Sequence, residues 1–231
     1  MNYKNLVFLG TSHIAKQSMS EVKKHIETEK PDIIAMELDK KRLPALMQRQ
    51  RRVELGIIRK IGIKGFIFSL LGAWAEKKLG KIAGVAPGSE MRLAVNIARK
   101  KGIDIAMIDQ DIEITLSRLS KTLTWKEKWN FMADIFKSAF AGKKEIDFDL
   151  RTVPSNKVIK KLVEKLKERY PNVCKVLIDE RNIAIAENLK ELMNSNSGKK
   201  ILVILGAGHV EKVIELIKKE EIGISYTFSA G

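Results

Sequence analysis

The feature that most constrains this chain is a set of short, unbroken apolar runs separated by long helical patterns. Leu6–Leu9, Ile33–Leu38, Asp104–Ile108, Ile201–Leu205 and Ser225–Phe228 are strand candidates, rich in β-branched residues. Most are continuously apolar rather than alternating, which suits strands covered on both faces. Between them apolar residues recur at helical spacing over Lys16–Thr28, Lys40–Val53, Gly56–Lys81, Ser89–Lys101, Ile112–Leu119, Trp125–Ala141, Asn156–Arg169, Asn172–Met193 and Val210–Lys219. The alternation predicts an α/β fold, a mainly parallel central sheet flanked by helices with a helical insertion in the middle of the chain. A single domain over residues 1–231 is expected, its strand-free helical layer at about 112–195. Ala141–Asn156 and Met193–Lys200 are expected loops.

Composition narrows the setting. With 45% hydrophobic residues the chain can bury a substantial core, and its 31% charged residues are interleaved with apolar ones rather than blocked into tails. One cysteine, Cys174, excludes an intramolecular disulfide and fits a reducing compartment. The net charge of +15 attracts anions in general. Aromatic residues are only 6%, and none sits in an RNA-binding signature, so nucleic acid is not the expected partner. No run reaches the roughly 18 apolar residues of a membrane span. The basic, glycine-containing segment Gly56–Gly84 comes nearest, broken by Arg59, Lys60 and Lys64. It suits a core helix, a membrane-surface helix or a homodimer interface.

The chemistry-bearing residues gather where strands are expected to end, which is where parallel sheets bind ligands. Two phrases of the form Gly-x-x-His, Gly10–His13 and Gly206–His209, each follow a strand candidate and precede a helix candidate. They hold two of the three histidines; the third, His25, has the setting of an ordinary helix-surface residue. Imidazole serves metal ligation or proton transfer near neutral pH, and a turn histidine can also simply bond backbone. If the strands before His13 and His209 are neighbours, both rings reach one rim. Glu37 and Asp39 close the second strand and share a face. Glu37 can complete a metal site, act as a general base, or pair with Arg42. Glu90 sits in the first turn of a helix, with Ser89 as the candidate cap, and points along the apolar side. A carboxylate there needs a partner, a metal or the helix dipole. Arg118, spaced with Asp111 and Thr115 on one stripe, and Arg181, on an apolar stripe, need carboxylates or an anionic substrate group. For Arg181 the structural partners would be Asp109 or Glu37.

Six phrases in order resemble the TraB/PrgY family, named for pheromone-shutdown proteins. They are Gly10–His13, Pro31–Arg42, Gly88–Ala94, Asp109–Arg118, Asp179–Leu189 and Gly206–Val210. The wider superfamily includes TIKI-type metalloproteases and erythromycin-esterase-like hydrolases. The resemblance implies a metal-dependent, peptidase-like hydrolase built on the paired Gly-x-x-His motifs and an essential glutamate. Its ligands would be His13, His209 and Glu37 or Glu90 around a divalent metal (Zn, Mn or Co), with the other glutamate activating water. Arg118 and Arg181 would steady negative charge, and the substrate would be a peptide or a small amide or ester. The other expectation is a non-catalytic module that sequesters a peptide. The resemblance also implies a cytoplasmic-facing domain linked to a membrane through a further hydrophobic region. Three positions depart from the pattern: Gln110 replaces a usual arginine, Asn182 a usual aspartate, and Glu211-Lys212 displace a usual glycine.

Overall fold

The computed structural model describes residues 1–11, 16–47, 88–140 and 156–227. His13, the Gly56–Gly84 segment and the expected loop at 141–155 lie outside the described residues. The described chain forms β1 (Asn2–Tyr3), β2 (Leu6–Thr11), α1 (Lys16–Glu29), β3 (Ile33–Met36), α2 (Arg42–Met47), α3 (Ser89–Lys101) and β4 (Asp104–Met107). It continues as α4 (Ile112–Thr122), α5 (Trp125–Phe140), α6 (Asn156–Arg169), α7 (Pro171–Cys174), α8 (Arg181–Ser195), β5 (Ile201–Gly206) and α9 (Ala207–Thr227). A π-helical turn, Lys175–Glu180, joins α7 to α8.

The sheet order is β1-β2-β5-β3-β4, parallel except for β1, which pairs antiparallel with β2. Apolar residues on both faces of β2, β3 and β5 demand two covering layers. Leu6, Phe8, Ile33, Ala35, Ile201, Val203 and Leu205 pack with Ile185, Ala186 and Leu189 of α8 and Val213 and Ile217 of α9. The intervening residues Val7, Leu9, Ile34, Met36, Leu202 and Ile204 pack with Val22 and Ile26 of α1 and Met91, Ala94, Val95 and Ala98 of α3. The period-two alternation of the strand thus sorts one apolar run into two cores.

The last strand in sequence is central in space. β5 lies between β2 and β3, in register with Leu6↔Ile201 on one side and Ile33↔Ile201 on the other. The strands before the two Gly-x-x-His phrases are therefore neighbours, and Thr11 Oγ1 donates to the Leu205 carbonyl at 3.1 Å. Gly10 meets the first turn of α9: a Cβ there would lie 3.3 Å from Ala207 Cα and 3.4 Å from Val210 Cγ2. The close approach of β2 to α9 explains a glycine at this position.

Three expectations change. Ser225–Phe228 is not a strand: the backbone stays helical through Thr227, as α9 continues past Lys219, and Phe228 lies outside the described residues. A short β-branched and aromatic run is a weak local preference, and a helix already under way overrides it. Gly88, not Ser89, caps α3; its φ of 75° is left-handed, and Ser89 is the first helical residue. The pattern over Asn172–Met193 is not one regular helix but contains the π-helical turn, which apolar spacing did not signal.

One carboxylate ties two helices of the middle region together. Thr124 and Glu127 form a capping box: Glu127 Oε2 accepts from the Thr124 amide at 3.1 Å and from Thr124 Oγ1 at 2.8 Å. The same side chain reaches the start of α7, accepting from the Asn172 amide at 2.8 Å and the Val173 amide at 3.3 Å. Burial alone would raise the Glu127 pKa, but hydrogen bonds from Thr124 and Asn172 outweigh it and hold the carboxyl below the usual glutamate range. A depressed native pKa contributes stability that is full above the unfolded value of about 4.3 and is lost as pH falls through the native value. Glu127→Ala should lower the unfolding free energy by about 2–3 kcal/mol at pH 7. Urea denaturation across pH 3 to 7 should show that gap narrowing below about pH 4.3; a gap constant with pH would exclude this role.

Candidate functional site at the carboxyl ends of the strands

Glu37 lies one residue beyond β3 and continues its ladder, its amide donating to the Ile204 carbonyl at 3.1 Å. It follows Ile33 and Ala35 in the alternation, so its side chain falls on the face that α8 and α9 cover. It is buried. Oε2 accepts from the Gly206 amide at 2.6 Å, at the point where β5 turns into α9. Oε1 accepts from Arg181 Nη2 at 2.5 Å and lies 3.5 Å from His209 Nε2. The carboxylate thus sits against the N-terminus of α9, where backbone donors and the helix dipole favour negative charge.

Arg181 opens α8 immediately after the π-helical turn. Its guanidinium bridges two acids: Nε and Nη2 donate to the Asp109 carboxylate at 3.0 and 2.7 Å, Nη2 also reaches Glu37, and Nη1 donates to the Leu177 carbonyl at 3.2 Å. Burial works against the charge, yet the bonds to Asp109 and the nearby Glu37 outweigh it and raise the Arg181 pKa above its ordinary value. A second guanidinium, Arg42, bonds both Asp39 and Asp109. Asp39 also accepts from the Lys41 and Arg42 amides at 2.8 and 3.0 Å, and Asp109 from the Gln110 amide at 2.8 Å. Three buried carboxylates, Glu37, Asp39 and Asp109, therefore share two guanidiniums and several backbone donors.

His209 is the third residue of α9. Its Nδ1 lies 2.7 Å from Asn182 Oδ1, so consecutive residues of α8 hold the two members of the cluster: Arg181 holds Glu37 and Asn182 holds His209. Asn182 is 1% exposed.

The structure thus brings together Glu37, Arg181 and His209. Glu90 is buried in the first turn of α3, among residues that pack on the opposite face of the sheet. Arg118 pairs with Glu180, Nε to Oε2 at 3.1 Å and Nη2 to Oε1 at 2.7 Å, and holds that carboxyl below the usual range. It is half-exposed, bracing α4 to the residue before Arg181. His25 bonds the Glu21 carbonyl of its own helix. Glu37 pairs with Arg181, while Arg42 pairs with Asp39 and Asp109. Gln110 gives its side chain to Thr115 Oγ1 at 3.0 Å, and Arg42 and Arg181 supply the positive charge beside Asp109. The Asn182 contact is absent from the sequence-level reading, because nothing local links an asparagine in one helix to a histidine 27 residues on. Among the described residues, no group of three or more His, Cys, Asp or Glu side chains is placed to hold a metal ion, and no helix is long and apolar enough to cross a membrane.

Removing one partner from a buried ion network leaves charges without compensation. Arg181→Met should lower stability by about 3–5 kcal/mol, read from urea midpoints at pH 7. Arg181→Lys should fall between it and wild type, since one ammonium cannot match a planar fork on Asp109 while reaching Glu37. A wild-type midpoint for Arg181→Met would show the network to be energetically idle.

The TraB/PrgY/gumN family model matches residues 2–225. An uncharacterized protein of Methanocaldococcus jannaschii is 39% identical, the match covering 96% of this chain and 56% of that protein. TraB domain-containing proteins of Bos taurus and Mus musculus are 21% and 20% identical, each match covering 79% of this chain and 51% of the relative. The chain spans about half the length of these relatives. With nearly its whole length matched, the chain belongs to the TraB/PrgY/gumN family.

Proposed function

We propose that this domain is a metal-dependent hydrolase acting on a peptide or a related small amide or ester. The observation that carries the reading is the 3.5 Å approach of His209 Nε2 to Glu37 Oε1 at the carboxyl ends of β5 and β3. Bonds of about 2.0–2.2 Å from one metal to a nitrogen and an oxygen, meeting near the tetrahedral angle, set the two ligand atoms about 3.4 Å apart. The pair therefore fits a shared divalent ion, and among the described residues the three carboxylates Glu37, Asp39 and Asp109 outnumber the two guanidiniums, which favours a cation there. His13, outside the described residues, completes the proposed donor set, with Zn, Mn or Co equally suited to nitrogen and carboxylate ligands. Such an ion would polarise a carbonyl and acidify a bound water.

The chain's own residues have distinct parts in this reading. Glu37, bonded by Arg181 and the Gly206 amide, is fixed in orientation and suited to a ligand role. Glu90, in the first turn of a different helix on the other side of the sheet, is then the candidate base toward water. Arg181 is committed to Glu37 and Asp109, so its contribution is to hold the site's carboxylates. Arg118 is a candidate for contact with a substrate carboxylate or developing negative charge. Linkage of the domain to a membrane through a further region belongs to the same proposal.

Metal content and peptide cleavage of wild type should be measured beside His13→Ala and His209→Ala. Wild type should retain about one ion per chain after dialysis and yield trimmed peptide by mass spectrometry, both lost in the variants and on chelation. Equal metal content in all three with no cleavage would eliminate the metal centre. Stoichiometric, chelator-insensitive peptide binding without product would assign a sequestering module instead.

A further inference from the structure

We infer that Asn182 is a positioning residue that fixes the tautomer of His209. Asn182 is buried to 1% exposure in the first turn of α8, and its Oδ1 lies 2.7 Å from His209 Nδ1. An amide oxygen can only accept, so the proton belongs on Nδ1. In the neutral ring Nε2 then carries the lone pair, and Nε2 is the nitrogen that faces Glu37 Oε1 at 3.5 Å. The opposite tautomer would place two acceptors against each other at Asn182, 2.7 Å apart; the N–H it would turn toward the Glu37 carboxylate lies 3.5 Å away, too long for a good hydrogen bond, so the shorter contact decides. A free histidine ring prefers its proton on Nε2, so the Asn182 bond works against the intrinsic preference.

The placement also explains why two adjacent positions at the start of this helix are polar although the residues it buries further along are apolar. Arg181 orients the Glu37 carboxylate and Asn182 orients the His209 ring. Helix α8 thus sets both members of the pair from one turn. The consequence for ligation rests on the metal reading above; the tautomer itself does not. A carbonyl or amide oxygen behind a ligating imidazole fixes the ring and raises its basicity, and loss of such a partner costs ten- to hundredfold in metal affinity.

The test uses histidine labelled with 15N in the full chain at about pH 8.5, two units above the ordinary imidazole pKa of about 6.5. Long-range 1H–15N correlations report which ring nitrogen carries the proton. With three histidines in the chain, His209 is assigned by its loss in His209→Gln. Wild type should show the proton on Nδ1, Asn182→Leu and Asn182→Ser a shift toward Nε2, and Asn182→Asp, which keeps an acceptor oxygen, the wild-type pattern. Zinc affinity by competition titration should fall about ten- to hundredfold in Asn182→Leu and be rescued in Asn182→Asp. A wild-type ring protonated on Nε2 overturns the inference without any variant having to fold. An unchanged tautomer in folded Asn182→Leu or Asn182→Ser overturns it too. Wild type that binds no zinc overturns the metal reading instead and leaves the tautomer result standing.

Discussion

The buried contact between Glu37 and Arg181 links the parts of the molecule that matter for its chemistry. It joins the end of β3, neighbour of the central strand β5, to the first residue of α8, and through Asp109 it also holds the end of β4. Burying such charges is costly, and Coulomb attraction repays the cost only when the remaining lone pairs and protons are bonded. That condition is met by backbone amides: Gly206 serves Glu37, Lys41 and Arg42 serve Asp39, and Gln110 serves Asp109. Every one of those amides lies at or just past the carboxyl end of a parallel strand, or at the start of the following helix. The polar network therefore has its donors built in by topology, not added by extra side chains.

The strand order converts sequence distance into proximity. With β5 between β2 and β3, the end of the first long strand and the start of α9 lie together, although they are separated by nearly the whole chain. Gly10 carries this through at the backbone level, since its missing side chain lets α9 approach β2. His209 then follows within one turn, with Glu37 on one side of its ring and Asn182 on the other. Neither contact requires a long or flexible side chain to find its partner, because the elements that carry them are fixed by two well-filled cores.

The helical region between β4 and β5 serves this arrangement indirectly. Glu127 ties α5 to the start of α7, and Arg118 ties α4 to Glu180, the last residue of the π-helical turn that leads directly into Arg181. A π turn changes the direction in which the following residues project, and such turns recur where a helix must aim a side chain off its regular stripe. Here the residues aimed are Arg181 and Asn182, the two that hold Glu37 and His209.

Much of the fold was written into local pattern. Unbroken apolar runs in β2, β3 and β5 called for strands covered on both sides, and helix periodicity located α1, α3, α5 and α6 closely. Strand-end positions made Glu37 and His209 site candidates, and an arginine on the apolar stripe of α8 announced a buried partner. Local pattern failed where a choice depended on neighbours distant in sequence. The run Ser225–Phe228 has strand-forming residues, yet α9 carries the helix on through Thr227. The two-residue β1 is too short to have a period and exists because β2 offers an edge. Likewise Arg181 could have braced Asp109 or Glu37, and only packing made it hold both; Asn182 acquired its role solely because α8 and α9 lie side by side on one face of the sheet. Periodicity and residue type are properties of a segment, so the sequence by itself determined the elements and their chemistry. Which buried charge meets which partner is a property of strand order and helix packing, and that only the tertiary structure decided.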